Sequence, residues 1–107
     1  MIVTVFRAYA RRDLDPKLMP DIQKRSKRML ELASSMPGFI SYKEFQAADG
    51  ETVSIVEFET LEHVQAWHDH PEHREVQQWG RDAVLASYNI QTCEVLRTFR
   101  FPTDDRR

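Results

Sequence analysis

All four histidines and both tryptophans of the chain fall between His63 and Arg81. Imidazoles that titrate near neutrality, set beside large aromatics, are the raw material of a ligand pocket. His68, His70 and His73 raise the question of a metal. His70 and His73 have the spacing that puts two ligands on one helix face, but His68 and His70 are two apart and no His-Glu-x-x-His pattern occurs. No metal site is therefore expected, and His73 has two readings: an acid/base or hydrogen-bonding group on the same helix stripe as Gly80 and Val84, or a surface or structurally satisfied histidine. Trp67 would anchor its helix and stack against a planar ligand. Arg7, a cation in an apolar strand, has two readings: a guanidinium with its head in solvent, or a pocket cation for a phenolate oxygen. Tyr88 and Tyr42 can donate to an oxygen. Cys93, the single cysteine, reads as a buried strand thiol with no base beside it. The chain has no glycine-rich phosphate loop and no dinucleotide fingerprint, so no nucleotide or flavin is expected.

The elements that must position these groups follow from patterning. Ile2 to Tyr9 is β-branched and aromatic, with Val3, Val5, Arg7 and Tyr9 on one face and Ile2, Thr4, Phe6 and Ala8 on the other. Asp15-Pro16 caps a helical start, with Pro20 moving the main helix to about Met19. Leu18, Ile22, Met29, Ala33 and Met36 then recur at helical spacing up to Pro37-Gly38. Lys24, Arg25, Lys27 and Arg28 read as the solvated side of that helix. Phe39 to Ala47 and Thr52 to Glu59 are strands joined through Asp49-Gly50, a hairpin signal. Thr60 caps a short helix bearing Leu61, Val64 and Trp67, and Asp69-His70-Pro71-Glu72 opens a second, expected to reach Ser87. Tyr88 to Phe101 closes the domain as a long strand, with a bulge needed to reconcile Ile90, Cys93 and Val95.

The order β-α-β-β-α-α-β suits an α+β, ferredoxin-like antiparallel sheet with helices on one face. Phe6, Ile40, Tyr42, Val56 and Phe58 are expected on the opposite, helix-free face, where dimerisation would cover them. Residues 1–101 form the domain and 102–107 a disordered tail.

Composition sets outer limits. The chain has 107 residues, 41% of them hydrophobic and 30% charged, as in one soluble domain. Net charge is −2 with neutral histidines, which argues against nucleic acid and anionic membranes as partners. Lone Cys93, no apolar run of membrane-spanning length and no signal segment together lead to the expectation of a cytoplasmic protein.

Met36-Pro-Gly-Phe39, Ser54-Ile-Val-Glu-Phe58, Trp67-His-Asp-His-Pro-Glu-His73 and Tyr88-Asn-Ile-Gln-Thr-Cys-Glu-Val95 resemble the antibiotic biosynthesis monooxygenase (ABM) family of small dimeric α+β barrels. The resemblance spans Ile2 to Phe101. It implies one of three things: oxidation of phenolic polyketides by molecular oxygen without a cofactor, haem degradation, or no known substrate. The haem-degrading pattern pairs a first-strand Asn with a helix Trp and an axial His. Trp67 matches the tryptophan, Arg7 stands where the Asn would be, and Gln77 where the His would be. The resulting expectation is a homodimeric, cofactor-free monooxygenase for a small aromatic or quinone-type molecule. His73 would be the base and Arg7 the anion stabiliser, with Trp67, Tyr88, Gln77 and His70 holding the substrate. The rival readings are a non-catalytic, ligand-binding or stress-related barrel and a haem-degrading monooxygenase.

Overall fold

The structure, a computed structural model, describes residues 1–102. The expected C-terminal tail lies, from Thr103 onward, outside the described residues. Four strands and three α-helices appear in the expected order: β1 (Ile2–Ala10), α1 (Met19–Ser35), β2 (Phe39–Gln46), β3 (Thr52–Phe58), α2 (Leu61–Asp69), α3 (Pro71–Trp79) and β4 (Leu85–Glu94). The sheet is antiparallel with spatial order β2-β3-β1-β4, the ferredoxin-like arrangement.

Local chemistry explains the corners. The Asp15 carboxylate accepts from the Lys17 amide and starts a 3-10 turn, Pro16–Leu18, ahead of α1. Thr60 accepts from the His63 amide at 3.2 Å and caps α2. Gly50 (φ +94°) permits the β2–β3 turn, where the Asp49 carboxylate accepts from the Glu51 amide at 3.0 Å. Gly38, between α1 and β2, has φ +80°, and a Cβ there would sit 2.3 Å from the His63 ring. His63 is thus a structural wedge between that corner and α2.

The core contains Met29, Leu32 and Ala33 of α1, Val56 and Phe58 of β3, and Val64 and Trp67 of α2. This corrects the expected assignment of the sheet faces. Phe58 is 0% and Val56 2% exposed, so both lie under the helices. Cross-strand register puts Thr4 opposite Val56 and Val56 opposite Tyr42, so Phe6 and Tyr42 also face the helices. Ile40 departs from this set, because the register shifts between Phe39 and Ser41 and leaves it 44% exposed. The helix-free face instead carries Val3, Val5, Val53 and Ile55 across its two central strands, with Phe45, 47% exposed, at one side. Polar and charged positions, among them Ser41, Lys43, Glu57 and Gln91, flank these residues.

The C-terminal half departs from expectation twice. α3 ends at Trp79 rather than Ser87 and passes through a π turn, Gly80–Val84, into a strand that begins at Leu85. That strand stops at Glu94 rather than Phe101, and its bulge sits beside Tyr9/Ala10. The reason is pairing. The last cross-strand pair is Ile2 with Glu94, and beyond it the Val95 amide donates to the Met1 carbonyl. Leu96 and Phe99 are consequently 90% and 85% exposed. Cys93 is exposed, not buried, since its partner Val3 lies on the helix-free face. No helix among the described residues is long and apolar enough to cross a membrane.

Candidate functional site

Between sheet and helices lies a cavity of about 790 Å³, open to solvent and large enough for a molecule of two or more fused rings. β1 supplies Thr4, Phe6 and Ala8 to its floor, and α2 and α3 supply Trp67, His68, His73 and Gln77 to its roof. Tyr88 of β4, stacked on Phe6 at 5.6 Å between centroids, forms one wall and receives a hydrogen bond from Arg81 at 3.1 Å. Gly80 and Val84 also line it, so the stripe that carries His73 does face the cavity.

The centre of the roof is an aromatic stack. The His73 ring lies 4.2 Å from Trp67 and 25° from parallel, while Tyr42 meets Trp67 edge-on at 6.2 Å. His73 Nδ1 is 3.1 Å from the Trp67 carbonyl. A carbonyl can only accept, so Nδ1 carries the proton and Nε2 keeps its lone pair. The Gln77 amide approaches that Nε2 at 3.5 Å. Burial drives the His73 pKa down to about 4; the bond to Trp67 opposes the shift, and nearby His68 and His70 add to it. His73 is therefore a neutral hydrogen-bond acceptor at pH 7. Burial likewise lowers the pKa of His68. Tyr42 moves the other way, pushed up to about 12 by burial and by Glu44, so it remains a neutral phenol.

Two expected site residues fall elsewhere. Arg7 projects from the helix-free face, where its Nε lies 2.9 Å from a Glu51 carboxylate oxygen. It cannot stabilise charge in the cavity, because alternate strand residues point to opposite faces and the cavity face holds Thr4, Phe6 and Ala8. His70 is a helix cap: its Nδ1 accepts from the Glu72 amide at 3.1 Å, and it does not line the cavity. Trp67, His73, Gln77 and Tyr88 are brought together as expected, and Tyr42 and His68 join them. Among the described residues, no group of three or more His, Cys, Asp or Glu side chains is placed to hold a metal ion. Of the residues that the haem-degrading pattern was set against, Trp67 and Gln77 line the cavity, as does His73, while Arg7 turns away from it.

Two buried polar atoms at this site lack partners among the described residues, Trp67 Nε1 and Thr4 Oγ1. Sequence alone gave no sign of Thr4, since a threonine in a strand is ordinary.

A family profile described as antibiotic biosynthesis monooxygenase matches residues 5–79. The chain belongs to the ABM family. Its relatives include the uncharacterised protein YqjZ of Bacillus subtilis (strain 168), 28% identical over 82 residues that cover 75% of this chain and 72% of YqjZ. Among solved structures, Rv0793 from Mycobacterium tuberculosis superposes with a TM-score of 0.75 at 14% identity, covering 91% of this chain and 96% of Rv0793. SnoaB, a cofactor-independent oxygenase from Streptomyces nogalater, superposes with a TM-score of 0.73 at 14% identity, covering 95% and 97% of the two chains. At such identities the structural likeness establishes a shared fold.

Proposed function

We propose that this ABM protein is a cofactor-independent monooxygenase acting on a small, electron-rich aromatic of the hydroquinone type. The observation that carries the reading is the Trp67–His73 stack, which presents a neutral imidazole, its Nε2 an acceptor approached by the Gln77 amide at 3.5 Å, to a largely apolar cavity of ring-binding size. Membership of the family and the likeness in fold to the oxygenase SnoaB support it.

No side chain of the site supplies electrons to oxygen, so the substrate must. For a dihydroxy-aromatic the reaction is substrate + O2 → hydroxyquinone + H2O. One oxygen atom forms a new bond to ring carbon, the other leaves as water, and the substrate gives up four electrons. His73 accepts the hydrogen bond of a ring hydroxyl. With its pKa near 4 it is too weak a base to strip a resting phenol, whose ordinary pKa is about 10. A ring that has surrendered an electron is a far stronger acid, and His73 takes its proton then. The Gln77 amide, with a second N–H beside the one facing His73, is a neutral donor for the oxygen on which charge develops. Trp67, packed between His73 and the sheet residues Phe58 and Tyr42, holds the imidazole in place rather than stacking on the substrate. Arg7 has no part in this scheme.

The second element of the reading is a homodimer formed through the helix-free face. Val3, Val5, Val53 and Ile55 make a contiguous apolar centre with a polar surround, and burying it in an obligate interface would remove on the order of 2,000 Å² or more.

Oxygen-electrode assays with a panel of dihydroxynaphthalenes test the activity. Uptake above buffer, one O2 per substrate and no accumulating peroxide, is expected. Binding without uptake across the panel would instead make the chain a non-catalytic barrel.

A further inference from the structure

With the histidines neutral, the cavity is lined by one cationic side chain, Arg25 of α1, and one carboxylate, Glu44 of β2. Arg25 was expected on a solvated helix face with Lys24, Lys27 and Arg28. It is instead half-buried, and its guanidinium carbon lies over the Trp79 ring of α3, 4.3 Å from the centroid. Arg28, one turn on, is satisfied by the Glu72 carboxylate. Arg25 has no such partner among the described residues. Asp21 and Glu75 share a neighbouring shallow groove with it and Glu44 lines the same cavity, yet none comes within ion-pair distance. A guanidinium seated on an indole keeps its N–H edge free, and that edge matches a carboxylate with two parallel hydrogen bonds. The indole limits its side-chain freedom, so less entropy is lost when an anion docks.

We propose that Arg25, backed by Trp79, is the anion seat of the cavity, so that the site takes a planar aromatic bearing a carboxylate at its edge. This rests on the cavity being a ring-binding site, and it names the class of molecule that fits. The ring lies in the apolar part of the cavity, beside Phe6 and Val84, and the carboxylate stays at Arg25. An acidic aromatic is thereby selected over its neutral isostere.

Isothermal titration calorimetry at pH 7 with 2-naphthoate and with 2-naphthamide, which share a ring and differ in charge, tests the proposal on the intact protein. Naphthoate should bind at least ten-fold more tightly than naphthamide. Arg25→Gln should abolish that preference while leaving naphthamide affinity within two-fold of wild type, which also shows that the cavity is still formed. Arg25→Lys, which keeps the charge without the fork, should retain part of the preference. Naphthamide binding with equal affinity for naphthoate would overturn the anion seat and leave the ring site standing. So would a preference that survives Arg25→Gln. Failure of both ligands to bind would remove the ring site and the anion seat together.

Discussion

Folding should carry a pH dependence traceable to His73. In the folded chain its pKa is about 4, against about 6.5 for an unperturbed histidine. The unfolded chain therefore takes up the proton first as pH falls, and stability drops. The contribution is fully present above about pH 7 and is lost progressively down through pH 4. Each pKa unit is worth about 1.4 kcal/mol, so the total is roughly 3 kcal/mol, about 2 kcal/mol of it gone by pH 5. For a small domain that is a large share of the whole. Urea unfolding of wild type and His73→Gln at half-unit steps from pH 4.5 to 8, at one fixed protein concentration, isolates the effect. The variant cannot titrate at this position, so the two stability curves should run parallel above pH 7 and converge or cross as pH falls. Curves that stay parallel to pH 4.5 would show that His73 is not held neutral by burial. Imidazole proton titration by NMR on the folded protein would confirm the same point directly.

The same value sets an expectation for the proposed turnover. Above about pH 5.5 turnover should show no inflection from His73, after subtracting uncatalysed oxidation, where an ordinary histidine would give a rise through pH 6 to 7. Thr4→Val replaces a buried hydroxyl without a partner by a methyl group and should raise stability by about 1 kcal/mol in urea titration; a loss would mean that the hydroxyl is satisfied. Ile55→Asp should yield a folded monomer in sedimentation equilibrium, since it places a carboxylate at the centre of the helix-free face, whereas Phe58→Asp should abolish folding because Phe58 is fully buried under the helices. An Ile55→Asp protein that still sediments as a dimer would move the interface elsewhere. Arg7→Ala should leave ligand affinity and turnover unchanged, as measured by calorimetry and oxygen uptake.

Much of the architecture is legible in the residues. Asp15-Pro16, Asp49-Gly50 and Thr60 each encode a local hydrogen bond that the structure contains, and His73, Gly80 and Val84 share a stripe that does line the cavity. One binary choice produced the largest errors. Alternation correctly groups Arg7 with Val3 and Val5, but both faces of β1 are apolar enough to meet the helices, and the polar pair Thr4 and Ser54 sits on the covered side. Taking the wrong face placed Arg7 in the site and Phe58 in the interface at one stroke, because strand periodicity makes such errors collective. The end of β4 was illegible for another reason. Val95 to Phe101 has good strand character, but a strand needs a neighbour, and among the described residues its pairing with β1 ends at Ile2 opposite Glu94. Arg25 was misread because a charged helix face looks solvated until the opposing Trp79 is in place.

The central claim is that the cavity lets a substrate reduce oxygen without help from a bound group. Metal-free protein should be incubated with 1,4-dihydroxynaphthalene under 18O2 and the product analysed by mass spectrometry. One labelled oxygen atom per product molecule is predicted, with labelled water accounting for the other and with incorporation strongly reduced in His73→Ala. Product carrying no label, or label incorporated equally by buffer and by the variant, would contradict it.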